Sequence, residues 1–172
     1  MRHTSESRPR LPDAGGCRFA LVVSRFNESI TASLRDGART ALTEAGARAA
    51  DVEAFEVPGA FELPQAARAV AETGRFDAVV ALGCVIRGET PHFNYICSAV
   101  AHGLTAAAGE TGVPITFGVL TTDTEAQAIA RAGPGPDNKG FEAAVAAIDM
   151  ARLFRALRAE GRSTLSSTLS KT

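Results

Sequence analysis

Apolar and mixed stretches alternate along most of the chain. Short runs rich in apolar residues predict four strands, at 18–23, 51–57, 77–82 and 114–120. Three of these runs are almost continuously apolar, as in a parallel sheet covered on both faces. Longer Ala-rich stretches between them predict helices, at 29–45, 60–72 and about 93–108. This alternation indicates right-handed βαβ units that build one parallel sheet.

Two more helices are expected after the fourth strand. The first begins in the TDTE segment at 122–125, which fits a capping box, and ends near Gly133. The second begins after Asn138, a favourable N-cap residue, and ends near Glu160. Glycines that can adopt a left-handed conformation are expected to end the earlier helices, at Gly46, Gly74 and Gly112.

The ends of the chain differ from its middle. Residues 1–16 are polar and rich in Pro and Gly, which predicts a flexible arm, and residues 161–172 are mostly Ser and Thr, which predicts a disordered tail. Residues 17–160 have the length of one domain. The expected fold is an α/β three-layer sandwich, with a four-stranded parallel sheet flanked by helices in a flavodoxin-like topology.

Composition narrows the function. The 172 residues are 45% hydrophobic and 22% charged, which is typical of a globular protein. A net charge of −1 gives little attraction to nucleic acid or to anionic membranes, and 6% aromatic residues without Trp make a base-stacking surface unlikely to form. Partners that are nucleic acids or membranes are therefore not expected.

The cysteines indicate the compartment. Cys17, Cys84 and Cys97 are odd in number and no pair has CxxC spacing, so free thiols in a reducing compartment are expected. The first residues contain no apolar signal core, and no apolar run is long enough to span a bilayer. These features predict a cytoplasmic protein.

Candidate chemistry lies in the segments that follow the strands, because parallel sheets bind ligands at the carboxyl ends of their strands. After the first strand, Phe26 suits a stacked planar ligand, although core packing is the commoner situation for Phe. After the second strand, Glu62 can accept a hydrogen bond from a ligand hydroxyl, or simply complement the dipole of a helix start.

The segment at 83–92 after the third strand is the most informative. A helix start with Gly and Thr offers free N–H groups to a phosphate. His92 lies beside it, and an imidazole of pKa about 6.5 suits proton transfer at neutral pH. The alternative role for His92 is to cap a backbone carbonyl. His102, in the middle of a helix, is expected to be structural.

Several other reaction schemes lack their motifs. The 131–140 segment superficially resembles a phosphate loop, but Lys139 is followed by Gly140, so it is not a Walker A motif. The chain has neither a GxSxG elbow nor a GxGxxG fingerprint, and its His and Cys residues lack zinc-site spacing. Nothing marks Cys84 as a low-pKa nucleophile.

Together these segments resemble the lumazine synthase family, over roughly residues 17–158 and in the family's order. The matching stretches are RFN at 25–27, VPGAFELP at 57–64, GCVIRGETPHFNY at 83–95, FGVLTT at 117–122, RAG at 131–133 and NKG at 138–140. The resemblance implies condensation of 5-amino-6-(D-ribitylamino)uracil with 3,4-dihydroxy-2-butanone 4-phosphate. The products are 6,7-dimethyl-8-ribityllumazine, phosphate and water, and no metal or organic cofactor is implied.

The resemblance also implies a role for each site residue. His92 transfers protons and Phe26 stacks on the pyrimidine ring. The ribityl chain and nearby ring atoms are held by Ala60, Phe61 and Glu62. Backbone contacts to the pyrimidine come from Cys84, Val85 and Ile86. The phosphate is held by Glu89 and Thr90. An adjacent subunit supplies Phe117 to cover the ring and Arg131 to bind phosphate, and Lys139 is a further site residue.

A site built from two chains implies a homo-oligomer, at least a pentamer, and the family also forms dimers of pentamers and icosahedral shells of 60 subunits. Riboflavin synthase is a further partner that the resemblance suggests. Asn94 departs from the acidic residue that the family usually has there, and the 134–137 loop lacks the usual Lys and Gly. Two alternatives stay open: a flavin- or lumazine-binding protein without catalysis, and a shell protein whose activity has lapsed.

Overall fold

The four predicted strands form one parallel sheet. The computed structural model describes residues 10–169. Its strands are β1 Phe19–Ser24, β2 Val52–Val57, β3 Ala78–Ile86 and β4 Ile115–Thr122. They lie in the order β2-β1-β3-β4 with every pairing parallel. This is the order in which a flavodoxin-like sheet begins, so the predicted fold class is confirmed.

Helices cover both faces of the sheet. They are α1 Glu28–Glu44, α2 Leu63–Glu72, α3 His92–Thr111, α4 Glu125–Arg131 and α5 Lys139–Leu169. On one face α1 packs against α5, and on the other α2 packs against α3. The glycines predicted to end the first three helices all have a positive φ, at Gly46, Gly74 and Gly112. No helix within residues 10–169 combines the length and the apolar character needed to cross a membrane.

Side chains along the central strands point alternately to the two faces of the sheet and pack into two separate hydrophobic cores. In β1, Phe19, Leu21 and Val23 point to the α1 and α5 side, whereas Ala20 and Val22 point to the α2 and α3 side. Full burial of each large apolar side chain contributes about 1.5–3 kcal/mol. Because both faces are buried, β1 has no polar face, which explains its continuous apolar sequence.

The third strand is longer than predicted. It was expected to end at residue 82, but β3 continues to Ile86 because Gly83 through Ile86 pair with Val119 through Thr122 of β4. The chemistry-bearing segment is therefore a strand end followed by a short loop. Helical structure in 60–72 also starts differently, as a 3-10 turn at Ala60–Glu62 that leads into α2.

Two helix boundaries differ from prediction. The cap of α4 is Thr124, whose Oγ1 accepts a hydrogen bond from the Gln127 N–H at 3.2 Å, and Thr122 instead ends β4. The expectation that α5 ends near Glu160 is wrong, because the helix continues to Leu169. Gly161 costs a helix only about 1 kcal/mol relative to Ala, and no proline follows it.

The predicted arm and tail fall partly outside the described residues, which exclude 1–9 and 170–172. The last part of the predicted arm packs against the sheet and helices. Ala14 is fully buried and its N–H donates to the Ala45 carbonyl oxygen at 2.8 Å, and Arg152 donates to the Asp13 carbonyl oxygen at 2.9 Å. These contacts fasten the segment before β1 to the end of α1 and to the middle of α5.

Candidate active site

A pocket of about 420 Å³ lies at the carboxyl ends of β1 and β3, between the turn at Ala60–Glu62 and the start of α3. We call it the aromatic pocket. Nine predicted site residues line it: Phe26, Ala60, Phe61, Glu62, Cys84, Val85, Ile86, Thr90 and His92. The remaining lining residues are Asn27, Gly59, Gly88, Phe93 and Ile96. The edge of the sheet thus gathers residues from three separate segments of sequence, as parallel topology predicts.

Two large aromatic rings stand at this pocket without being buried. Phe26 is 70% exposed and Phe61 is 60% exposed. The core-packing interpretation of Phe26 is therefore wrong. The cause is the backbone, because Phe26 follows the end of β1 and its N–H donates to the Pro58 carbonyl oxygen at 3.2 Å. The exposed ring faces are available to a planar ligand.

Asn27 holds the Phe26 segment against β3. It adopts the left-handed conformation, with φ 59° and ψ 50°, and its Nδ2 donates to the Cys84 carbonyl oxygen at 3.0 Å. Asn tolerates this conformation better than most residues. Sequence reasoning assigned Asn27 no role, although an Asn between a strand and a helix is a recognisable signal for a turn.

The floor of the aromatic pocket is tightly packed. An added Cβ at Gly83 would lie 2.9 Å from Leu63 Cδ1 and 3.7 Å from Ala60 Cβ. Glycine there lets β3 approach the turn that carries Phe61 and Glu62. A side chain at this position would require the Leu63 side chain to shift.

Cys84 is a buried thiol and not an activated nucleophile. Only 1% of the residue is exposed, and its side chain belongs to the core under α1 and α5. Burial raises the pKa of the thiol to about 11, with a smaller contribution from the charge of Glu125. Burial likewise raises the pKa of the Cys17 and Cys97 thiols. All three cysteines are free, as expected from their number and spacing.

His92 is the first residue of α3 and is exposed at the pocket. Among the described residues its ring makes no hydrogen bond, so the alternative in which it caps a backbone carbonyl is not observed. His102, in contrast, uses Nδ1 to donate to the Ser98 carbonyl oxygen one turn earlier, at 2.8 Å. Of these two imidazoles, only His92 presents its ring to a pocket without a protein partner.

The loop before His92 suits an anion. The helix α3 is 20 residues long and no side chain caps its first turn, so its first N–H groups have no side-chain acceptor. Gly88 and Thr90 line the pocket next to this helix start. Glu89 is exposed and does not line the pocket.

A second pocket of about 400 Å³ lies against β4, α4 and α5, and contains the other predicted residues. We call it the cationic pocket, because Arg131 and Lys139 line it together with Phe117. Phe117 is 46% exposed on the edge strand. Lys139 Nζ contacts both carboxylate oxygens of Glu142 at 2.8 Å. Arg131 donates to the Gln127 carbonyl oxygen at 3.0 Å and has no carboxylate partner among the described residues.

Asn138 positions both cations of this pocket. Its Oδ1 accepts hydrogen bonds from the Gly140 and Phe141 N–H groups at 2.8 and 3.1 Å, which confirms the predicted N-cap. Its Nδ2 donates to the Ser33, Ala132 and Gly133 carbonyl oxygens at 3.0–3.1 Å. This buried amide therefore ties α1, the end of α4 and the start of α5 together.

The structure separates the predicted site into two groups. The linings of the aromatic and cationic pockets share no residue. Phe117, Arg131 and Lys139 are not brought to His92 within the described chain. Within residues 10–169, His, Cys, Asp and Glu side chains form no group of three that could hold a metal ion.

Comparison with known proteins gives a consistent result. The family model described as 6,7-dimethyl-8-ribityllumazine synthase matches residues 16–155. A protein of that name from Syntrophus aciditrophicus (strain SB) is 54% identical over 142 residues, which cover 83% of this chain and 92% of the relative. The matched region contains both pockets.

Proposed function

This chain belongs to the 6,7-dimethyl-8-ribityllumazine synthase family, and from that premise we propose how its two pockets carry out the reaction. The activity is the condensation of 5-amino-6-(D-ribitylamino)uracil with 3,4-dihydroxy-2-butanone 4-phosphate, the penultimate step of riboflavin biosynthesis. Each step needs a proton moved and an anion held, and the substrates need a shared pocket.

The aromatic pocket binds the pyrimidine substrate in this proposal. The exposed ring of Phe26 supplies a stacking surface, and the turn at Ala60–Glu62 lies beside it. Glu62 accepts from ribityl hydroxyls, with Phe61 packed alongside. Backbone groups of Cys84, Val85 and Ile86 at the end of β3 contact the ring, while the Cys84 carbonyl also holds Asn27.

The phosphate of the second substrate binds at the start of α3. Thr90 and the backbone of the 88–90 loop donate hydrogen bonds, and the helix dipole favours the anion. This places the ketone of the butanone next to His92. Glu89 does not belong to the pocket lining, so its part in holding the phosphate is limited in this proposal to its place in the 88–90 loop.

His92 is the proton-transfer residue. The pyrimidine amine attacks the ketone, and His92 delivers and removes the protons needed to expel water and form an imine. A proton is then removed from the carbon next to the imine, and phosphate leaves as an anion. The resulting enol takes up a proton to become a ketone, and the second nitrogen attacks this carbonyl and closes the ring with loss of a further water. An imidazole that makes no hydrogen bond within the described residues can serve each transfer in turn. General acid–base catalysis of this kind raises the rate about 10²–10⁴-fold.

The observation that carries the assembly proposal is the separation of the two pockets. Phe117, Arg131 and Lys139 are accessible along the β4 side, yet they share no lining residue with the His92 pocket. We propose that the cationic pocket of one chain completes the aromatic pocket of the next. A head-to-tail interface of this kind closes into a ring, here of five subunits by resemblance to the family.

Mixing two inactive variants tests the shared site. His92→Ala and Arg131→Ala damage different pockets, so a refolded equal mixture should regain about a quarter of wild-type activity, the fraction of interfaces with both residues intact. A mixture as inactive as its parents contradicts sharing. Light scattering should give at least about five times the 17.8 kDa subunit mass. The number observed separates a pentamer from its dimer and from a 60-subunit shell.

Formation of the lumazine chromophore from the two substrates tests the activity itself. Absorbance and fluorescence of the product report turnover directly. Tight product binding without turnover would favour the non-catalytic alternative. We also propose a cytoplasmic location, supported by three free thiols. Association with riboflavin synthase, which consumes the product, stays a prediction.

A further inference from the structure

Arg87 makes an unusual set of contacts just after β3. Its Nε donates to Asp123 Oδ1 at 2.7 Å and its Nη1 donates to Asn94 Oδ1 at 3.2 Å. Its guanidinium carbon also lies 4.2 Å from the centre of the Phe93 ring. Arg87 lines neither the aromatic nor the cationic pocket. Its side chain therefore engages three protein partners and is directed to the frame of the site, not to a ligand.

Two of these contacts close the loop that precedes His92. The loop leaves β3 at Arg87 and enters the first turn of α3, where Phe93 and Asn94 lie, so the Arg87 side chain bridges both ends of the loop. Glu89, Thr90 and His92 make no side-chain hydrogen bond among the described residues. The bridge is thus the polar side-chain contact that restrains this loop.

The third contact reaches the structure that carries Arg131. Asp123 accepts from Arg87, and the Asp123 N–H donates to Gln127 Oε1 at 2.9 Å. Gln127 lies in α4, and its carbonyl oxygen accepts from Arg131 at 3.0 Å. One guanidinium therefore connects the His92 loop to α4, so each chain couples the geometry of its two half-sites.

We propose that Arg87 is a positioning residue that sets the phosphate-binding loop and the orientation of His92. This inference rests on the proposed function, because it assigns the 88–92 loop to the phosphate of the butanone. Arginine suits this role better than lysine, since its planar fork holds two acceptors while its face stacks on an aromatic ring.

The proposal predicts an unequal effect on the two substrates. Arg87 contacts Asp123, Asn94 and Phe93, and of these only Phe93 lines the aromatic pocket, so the side of that pocket formed by Phe26, Phe61 and Glu62 should keep its shape. The phosphate loop should lose its restraint when Arg87 is removed. Small displacements of reacting groups can cost up to about a hundredfold in rate.

Steady-state kinetics of Arg87→Ala provide the test. We expect KM for 3,4-dihydroxy-2-butanone 4-phosphate to rise about tenfold and kcat to fall, with KM for the pyrimidine within about twofold of wild type. The kinetic constants of Arg87→Lys should lie between those of wild type and Arg87→Ala, because lysine keeps the positive charge but lacks the planar guanidinium fork. The lysine variant carries the test if the alanine variant does not fold.

Arg68→Ala is a matched control. Arg68 is 50% exposed, against 44% for Arg87, and it pairs with Glu72 at 2.9 Å and with Glu110 between α2 and α3. It should leave both KM values unchanged. The inference is overturned if Arg87→Ala changes KM equally for both substrates, or if it changes neither KM nor kcat. In either case the proposed function still stands, provided that the wild type is active. A wild type that forms no lumazine overturns both.

Discussion

The two ends of the parallel sheet differ in whether their functional groups find partners within the chain. At the amino ends of the strands, Asp77 accepts from Arg155 at 2.9 and 3.0 Å and from the Arg18 N–H at 2.7 Å, and Asp51 accepts from Arg48 at 2.6 Å. At the carboxyl ends, Phe26 is exposed and His92 has no hydrogen-bond partner among the described residues. The charged groups named at the amino end are paired within the chain, whereas the side chains of Phe26 and His92 at the carboxyl end are left for a ligand.

This difference separates stability from function. Groups at the amino end are mutually satisfied, so their loss should lower the free energy of unfolding without altering chemistry. The side chains of Phe26, Phe61 and His92 at the carboxyl end are exposed, so their loss should affect turnover first. Arg87 is the informative exception, because it is paired with Asp123 at the carboxyl end, and its contacts with Asn94 and Phe93 restrain the loop that carries His92.

The largest expected effect is a loss of turnover on substitution at the carboxyl end of the sheet. His92→Ala should lower kcat by about a hundredfold or more, because proton transfer loses its imidazole. Its melting temperature should match that of wild type, since the ring has no hydrogen-bond partner to lose within residues 10–169. His102→Ala is the control, and its kcat should be unchanged. Equal kcat values for His92→Ala and wild type would contradict the proton-transfer role.

The next largest expected effect is a loss of stability on substitution at the amino end of the sheet. Arg155→Ala removes the bidentate contact to Asp77 and the hydrogen bond to the Gly16 carbonyl oxygen at 2.7 Å. We expect the free energy of unfolding to fall by roughly 2 kcal/mol, because charged hydrogen bonds to a half-buried carboxylate are lost. Urea unfolding measures this, with kcat of the folded enzyme as the second readout. A large loss of kcat at unchanged stability would reverse the assignment of the two ends.

The pH dependence of the free energy of unfolding provides a further test of the amino end of the sheet. The hydrogen bond from Arg48 lowers the pKa of the Asp51 carboxyl, with partial burial opposing. The stabilisation is therefore present above the unfolded-state pKa of about 3.9 and is lost as pH falls through the lower folded-state pKa. Asp51→Asn should weaken the acid dependence of the urea midpoint. Asp36→Asn, on an exposed face of α1, is the comparison variant; identical acid profiles for all three proteins would refute this origin.

The smallest expected effect lies at Cys84. The thiol has a pKa of about 11, so it is protonated at neutral pH and its side chain should have no chemical role. Cys84→Ala should keep kcat and both KM values while lowering the free energy of unfolding by about 1 kcal/mol. Iodoacetamide at pH 7 should leave the folded wild type active. Rapid inactivation traced to Cys84 would show that the carboxyl end holds a second reactive group.

Local patterns in the sequence determined much of this protein. Apolar runs predicted all four strands, helix-ending glycines predicted three helix ends, and Asn138 was identified as a cap, because each depends on residues near in sequence. Parallel topology then brought the segments around Phe26, Phe61 and His92 to one edge. These features depend on periodicity, backbone preference and a general rule of sheet geometry.

Only the tertiary structure decided the rest. Pairing with β4 extended β3 to Ile86. The backbone path after β1 left Phe26 exposed. The position of β4 at the edge of the sheet separated Arg131 from His92. Arg87 meets Asp123 across 36 positions of sequence, a contact that no local pattern encodes. Non-local pairing sets such contacts, since their energies depend on which distant segments the folded chain brings together.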